Sequence, residues 1–212
     1  YRLCRQLRPA IVHTRNLAAL EIAVPAALAG VPARVHGEHG WDTSDPGGTQ
    51  RKYQLLRRAY SPFVNRYVAL SGQIESYLTE RVGIAASRVE RICNGVDTLR
   101  FRPASTRQAV AGRPFEDPDL VIVGTVGRLQ TVKDQLNLVR AVAIARGLGE
   151  AGARLRLVIA GDGPQRAEVE AEITATGIGD ITWLAGARSD VPEVMRALDI
   201  FALPSQAEGI SN

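Results

Sequence analysis

The chain has 212 residues, 45% of them hydrophobic and 23% charged, with a formal net charge of +4, a globular composition with room for one large domain or two small ones. No stretch approaches the roughly 18 uninterrupted apolar residues a membrane span needs, and 5% aromatics with so small a net charge offer neither the basic stripe nor the stacking platform of a nucleic-acid binder. Cys4 and Cys93 lie far apart with no metal-type spacing and read as reduced thiols of a cytosolic protein.

In chain order, "AIVHT" (10–14) reads as a strand and "NLAALEIAVPAALAG" as an Ala-rich helix with Pro25 a kink and Gly30 a stop. "ARVHG" (33–37) is a strand, "TQRKYQLLRRAYSPF" a helix to about Tyr60, "RYVALS" a strand, "GQIESYLTERVG" a helix and "RVERIC" a strand. Such alternation implies a parallel sheet with helices on both faces. From Asn94 to Asp119 the pattern breaks: the turn dipeptide Asn94-Gly95 sits in "NGVD", followed by three prolines and few apolar runs.

The alternation then resumes. "LVIVGTV" (120–126) is a buried strand and "KDQLNLVRAVAIAR" a helix, with Leu136, Val139 and Val142 at helical spacing. "RLRLVIAG" is a strand, "PQRAEVEAEITAT" a helix opening on Pro164, "ITWLAG" a strand, "VPEVMRAL" a short helix and "DIFALP" a strand. The expected organisation is therefore a first α/β domain over 1–98, a linker over 99–118 and a second α/β domain over 119–212. Residues 1–98 carry 13 Lys/Arg against 8 Asp/Glu, the remainder 13 against 14, so the first domain is the basic one. That asymmetry suits an anionic membrane surface or anionic acceptor, or a merely solvated basic surface. The sequence shows no initiator Met and no signal-peptide pattern, and it stops just past a strand; the pattern predicts a fragment cut at both ends.

Four segments could carry chemistry. In "GRLQTVKDQ" (127–135), Thr131 and Asp134 have capping-box spacing, which would put Lys133, one of two lysines beside 24 arginines, in the first turn of a helix. There it opposes the helix dipole at a cost of about 0.3–1 kcal/mol, a sign that a bound anion reverses. Arg128 leaves the same strand end, and ligands of open α/β sheets bind outside the carboxyl ends of strands. Arg128 and Lys133 therefore read as a diphosphate clamp, with two solvated surface cations as the alternative. "GDGPQR" (161–166) has G-x-G but Arg166 in place of the third glycine, and no ribose-binding acid follows, so a tight turn is expected rather than a nicotinamide dinucleotide site. No P-loop occurs, "DPD" (117–119) is disfavoured as a metal site by Pro118, and no His/Cys cluster has zinc spacing. In "AEGISN" (207–212), Glu208 could accept from sugar hydroxyls or simply favour a helix dipole, while the N–H groups of Gly209, Ile210, Ser211 and Asn212 face an anion, with Gly209 permitting close approach. In "HGEHGWD" (36–42), His39 lies between Gly37 and Gly40 in a loop that can come close to a ligand.

"GTVGRLQTVKDQ", "LVIAGDGP", "DIFALPSQAEGISN" and the earlier "NGVD", in that order, resemble glycosyltransferase family 4, and "VHTRN" with "HGEHGWD" resembles the sugar-transferase branch associated with bacterial exopolysaccharide and PEP-CTERM/exosortase systems. The resemblance implies a GT-B fold: two Rossmann-like domains with parallel sheets facing across a cleft, acceptor on the first and nucleotide-sugar on the second. It further implies that Arg128 and Lys133 hold the donor diphosphate in place of a metal, so no cofactor is expected. Glu208 matches the first glutamate of the family's E-x7-E motif and His39 the histidine that reaches the transferred sugar; these two are the expected catalytic residues. The loop "GARSD" (186–190), with Arg188, falls where the family seats the base. The second glutamate of the motif would lie beyond Asn212, and the family's N-terminal glycine-rich loop is not found.

The expectation is thus a retaining, metal-independent glycosyltransferase, cytoplasmic or peripheral at the inner face of the plasma membrane through its basic domain, with a nucleotide-sugar donor and a glycan or lipid-linked acceptor; the fragment alone is expected to be inactive. A nucleotide-sugar epimerase, a glycan phosphorylase and a noncatalytic nucleotide-sugar-binding module are the other readings.

Overall fold

The computed structural model describes residues 1–42 and 44–208. The chain divides into two compact units, one comprising Tyr1–Val96 and the last described residues, Ala207 and Glu208, the other Asp97–Gln206. Each is built on a four-stranded parallel sheet.

In the first unit, α1 (Arg2–Leu7) leads into β1 (Ile11–Arg15), α2 (Asn16–Ala19), α3 (Ala23–Leu28), β2 (Ala33–Glu38), α4 (Arg51–Tyr60), β3 (Arg66–Ala69), α5 (Gly72–Ser76) and β4 (Val89–Arg91), with sheet order β1-β2-β3-β4. The register of the first pair sets Thr14 against His36 and Arg15 against Gly37. The Ala-rich segment expected to form one helix is instead α2, a 3-10 turn over Leu20–Ile22, and α3. Proline lacks the N–H and collides with the carbonyl four residues back unless it lies in a first turn; breaking the helix before Ala23 gives Pro25 that position. The core of this unit gathers Leu20, Tyr67, Ile74 and Leu78.

In the second unit, β5 (Val121–Val126), α6 (Gln135–Arg146), α7 (Gly149–Ala153), β6 (Leu155–Ala160), α8 (Arg166–Ala175), β7 (Thr182–Gly186), α9 (Val191–Arg196) and β8 (Ile200–Phe201) form a sheet of order β7-β6-β5-β8. β5 and β6 are interior and mostly apolar, with Thr125 and Arg156 the exceptions, as expected of strands covered on both faces. One core cluster joins Leu138, Val139, Leu157, Ile159 and Val169, and another joins Ile122, Val158, Val194 and Ala197. Val110 and Phe115 belong to this second cluster. The segment 99–118, expected as a linker, is thereby part of the second unit. Its Arg107 donates to both carboxylate oxygens of Asp199 (2.8 and 2.6 Å) and to the Leu120 carbonyl. Two buried apolar residues amid polar ones were too sparse a pattern to announce this packing.

Candidate functional site

In the second unit the polypeptide leaving β5 does not enter its helix directly. Gln130 is extended, Thr131–Lys133 form a 3-10 turn, and Asp134 adopts φ 49°, ψ 43° before α6 begins at Gln135. The expected capping box is not formed: no side chain caps the N-terminus of α6. Lys133 therefore lies in the turn ahead of the helix rather than within its first turn. Asp is among the few non-glycine residues that accept this left-handed backbone, and here it reverses the chain so that the 3-10 turn closes with Lys133 N–H donating to Gln130 O (2.8 Å).

Arg128 is exposed on the same loop. Its backbone is held from two sides. Gln135, 2% exposed, donates from Nε2 to the Arg128 carbonyl (3.1 Å), leaving its own Oε1 buried and without a hydrogen-bond partner among the described residues. Flanking it, Gly127 N–H donates to Ala160 O, Leu129 N–H to Asp162 O, and Gln165 N–H to Leu129 O. The 161–165 loop thus lies directly against 127–129. A Cβ at Gly161 would fall on the Gly127 carbonyl and one at Gly163 on the Leu129 carbonyl. The glycines of "GDGP" serve this contact between two backbones. The same lacing corrects the expected start of α8: Pro164 lies in the tied turn, and the helix opens only at Arg166.

After β8 the chain returns to this loop. Gln206 N–H donates to Val132 O (2.9 Å) and its side-chain amide to Asp134 Oδ2 (3.2 Å). Glu208, half-buried, follows two residues later. Gly209, Ile210, Ser211 and Asn212 lie outside the described residues. Arg188 forms a two-pronged pair with Asp190 (2.7 and 2.6 Å) and sits over the Trp183 ring at 5.2 Å. Hydrogen bonding to Asp190 raises its pKa and lowers that of Asp190, so the guanidinium is fixed by its own loop.

In the first unit His39 follows β2 directly. Its ring lies over Gly37, where a Cβ would come within 2.5 Å of Nε2, and beside His13, with ring centroids 6.4 Å apart. Arg15 approaches from the end of β1, with Nε donating to His39 Nε2 (3.2 Å) and Nη2 2.9 Å from Nδ1, while the His39 backbone N–H donates to Asn16 Oδ1 (2.9 Å). Partial burial, then the charge of Arg15 and the proximity of His13, hold the His39 pKa below the usual histidine value.

Beneath this loop runs a buried polar chain that the sequence reading did not single out. Thr14 Oγ1 is 2.8 Å from His36 Nδ1; His36 Nε2 is 3.3 Å from Glu38 Oε1; Arg57 donates to both Glu38 oxygens (2.6 and 3.2 Å) and to Asp42 (3.2 Å). His36, Glu38 and Arg57 are 0%, 1% and 4% exposed. Burial opposes ionisation of Glu38, but the His36 and Arg57 hydrogen bonds outweigh it and set its pKa below the usual carboxylate range. For Arg57 burial likewise works against the cation, and Glu38 overrides it, raising the pKa. The available signal was the alternation in "HGEH": residues two apart on a strand share a face, so His36 and Glu38 had to be buried or exposed together. Among the described residues no group of three or more His, Cys, Asp or Glu side chains is placed to hold a metal ion, and no helix is long and apolar enough to cross a membrane.

Residues 1–100 match the family described as Glycosyltransferase Family 4 and residues 108–211 that described as Glycosyl transferases group 1. EpsF of Bacillus subtilis (strain 168), named as a glycosyltransferase, is 31% identical over 195 residues, which are 89% of this chain and 49% of EpsF. The UDP-Gal:alpha-D-GlcNAc-diphosphoundecaprenol alpha-1,3-galactosyltransferase of Escherichia coli is 27% identical over 217 residues, 99% of this chain and 55% of that protein. The crystal structure of Anabaena HepE in complex with UDP and glucose matches with a TM-score of 0.74 at 19% identity, over 99% of this chain and 57% of HepE. The chain thus spans about half the length of these relatives. Its two parallel four-stranded sheets are those of the GT-B fold.

Proposed function

The chain belongs to glycosyltransferase family 4, and from that premise we propose that its full-length parent is a retaining, metal-independent enzyme that moves a hexose from a UDP-sugar to a glycan or lipid-linked acceptor in bacterial exopolysaccharide or cell-surface polysaccharide synthesis. The observation that carries this reading is the 127–134 loop, which presents Arg128 and Lys133 at the carboxyl end of β5 ahead of the 12-residue helix α6. As the sugar becomes oxocarbenium-like, negative charge collects on the departing diphosphate, and preorganised positive groups at that place lower the barrier. Arg128 supplies a planar fork and Lys133 a compact charge, with the helix dipole adding to both. His39 and Glu208 orient the sugar, and the Arg188 loop seats the base. The UDP donor and lipid-linked acceptor are suggested by what HepE binds and by the name of the E. coli relative.

In the full-length parent, Lys133→Ala is expected to lower turnover at least tenfold, and by about 2.7–4 kcal/mol in barrier if the loss resembles that of an oxyanion-hole donor. UDP should raise the melting temperature of the wild type, as any ligand selective for the native state does, and do so less for the variant. Near-normal transfer by a folded Lys133→Ala protein would remove the clamp.

The basic first unit supports peripheral attachment to an anionic membrane. α4 carries Arg51, Lys52 and Arg58 around exposed Leu55 and Leu56, and Arg51, Arg58 and Arg81 surround a cavity of about 320 Å³. Each basic residue close to an anionic surface contributes about 1 kcal/mol. The triple variant Arg51→Gln/Arg58→Gln/Arg81→Gln of the full-length protein should therefore lose cosedimentation with phosphatidylglycerol vesicles. Undiminished cosedimentation would place attachment elsewhere.

A further inference from the structure

The proposed role of His39 leaves open what decides the orientation and charge of its ring. Its surroundings form a cradle with a specific chemistry. Gly37 is the floor: the ring occupies the space a Cβ would take, 2.5 Å from Nε2 and 2.9 Å from Cδ2, and that Cβ would also lie 3.1 Å from His13 Nε2. Asn16 holds the backbone, its Oδ1 accepting from His39 N–H at 2.9 Å. To do so Asn16 takes φ 57°, a left-handed conformation in which Asn is several-fold enriched among non-glycine residues. Arg15, paired with Gly37 across the β1–β2 ladder, lays its guanidinium along the nitrogen-bearing edge of the ring.

The donor inventory then fixes the protonation state. A guanidinium carries only donors, whereas an imidazolium carries donors on both nitrogens and no acceptor. An accepting nitrogen facing Arg15 exists only in the neutral ring, and only one of the two nitrogens can be that acceptor. The other charged or titratable groups acting on the ring are His13 from β1 and His36 and Glu38 from β2; of these only Glu38 favours the charged form, and it is already bonded to Arg57 and His36.

We propose that Arg15 at the end of β1 and Asn16 directly after it are positioning residues that hold His39 as a neutral imidazole in one orientation at the place assigned to the transferred sugar. This rests on the assignment of His39 to the transferred sugar, but the state of the ring can be measured without transfer.

The chain contains three histidines, at positions 13, 36 and 39, so long-range 1H–15N spectra of the labelled 212-residue protein resolve each ring, with His39→Gln supplying the assignment. In the wild type the His39 ring should be neutral and predominantly one tautomer at pH 7, titrating below an ordinary histidine. Arg15→Gln, which keeps a donor but removes the charge, should shift the His39 midpoint upward and even out the tautomers. Asn16→Gly, which preserves the left-handed backbone and deletes the acceptor, should speed hydrogen exchange at the His39 amide. An unaltered His39 midpoint and tautomer in Arg15→Gln overturns the proposal. In the full-length enzyme, Arg15→Gln should move the acid limb of the kcat profile to higher pH. A shifted ring titration with an unmoved profile would instead show that Arg15 governs His39 while His39 does not serve transfer.

Discussion

Glu38→Ala is expected to destabilise the first unit by roughly 3–5 kcal/mol, the cost of leaving one member of a buried ion pair without the other. The affected cation is Arg57, 4% exposed, whose remaining carboxylate partner is Asp42 at 3.2 Å. Domains of this size are stable by only about 5–15 kcal/mol, so the loss would be a large share of the total. Glu38→Gln should cost less, because an amide oxygen still accepts from Arg57 although no charge opposes it. Glu38→Leu combined with Arg57→Met should recover part of the loss, since an apolar replacement leaves no buried charge unsatisfied. Each unit holds one tryptophan, Trp41 and Trp183, so urea titrations in a Trp183→Phe background report the first unit alone. An unshifted midpoint for Glu38→Ala would show that the pair contributes nothing net.

The same pair predicts an acid dependence with a definite sign. The native carboxyl of Glu38 has a pKa lowered from the ordinary 4.5. Such a group binds fewer protons in the native than in the unfolded state over that range, so its stabilisation is complete above about pH 4.5 and is lost as the pH falls through its lowered native value. Glu38→Gln should flatten the acid limb of the first unit's stability and leave that of the second unit intact.

The sequence disclosed the strands better than their surroundings. Runs such as "LVIVGTV" and "RLRLVIAG" extend β5 and β6 by no more than one residue at either end, because an interior parallel strand is mostly apolar. The errors fall where tertiary contacts overrode local signals. Thr131 and Asp134 had the spacing of a capping box, yet Asp134 is committed to a left-handed turn and to Gln206, a residue 72 positions away. Pro164 had the look of a helix start, yet its turn is tied to the 127–129 backbone; Gly161 and Gly163 mark the turn, but nothing in the sequence names the backbone they approach. Two short helices, α1 and α7, went unmarked because they are six and five residues long, less than two full turns. That Arg128, Lys133 and Glu208 follow the ends of strands was legible in the sequence. The environment of His39 was not, since Arg15 and Asn16 meet it only through the β1–β2 register, and register is a property of two strands together.

A large effect is expected in the second unit from Gly163→Ala. A methyl group there meets the Leu129 carbonyl, a backbone atom that cannot rotate away as a flexible side chain could. The 161–165 loop must then lift from 127–129, breaking the bonds Leu129 N–H makes to Asp162 O and Gln165 N–H to Leu129 O. Two weakened backbone hydrogen bonds, at about 0.5–1.5 kcal/mol each, together with the strain of the clash imply a loss of roughly 2–4 kcal/mol. Gly161→Ala should behave alike or worse, because its φ of +146° disfavours any side chain before the Gly127 carbonyl is met. The movement also displaces Arg128, and a misplacement of about 1 Å can cost on the order of a hundredfold in rate. Gly127→Ala separates the two consequences. It lies in the same laced segment, but its added Cβ meets nothing within 4 Å, so stability followed through Trp183 in a Trp41→Phe background should change by no more than about 0.5 kcal/mol. If Gly127→Ala nevertheless slows transfer in the full-length enzyme, the space above that backbone belongs to the donor. If Gly163→Ala leaves both the urea midpoint and turnover unchanged, the close approach of the two loops is not what holds Arg128 in place.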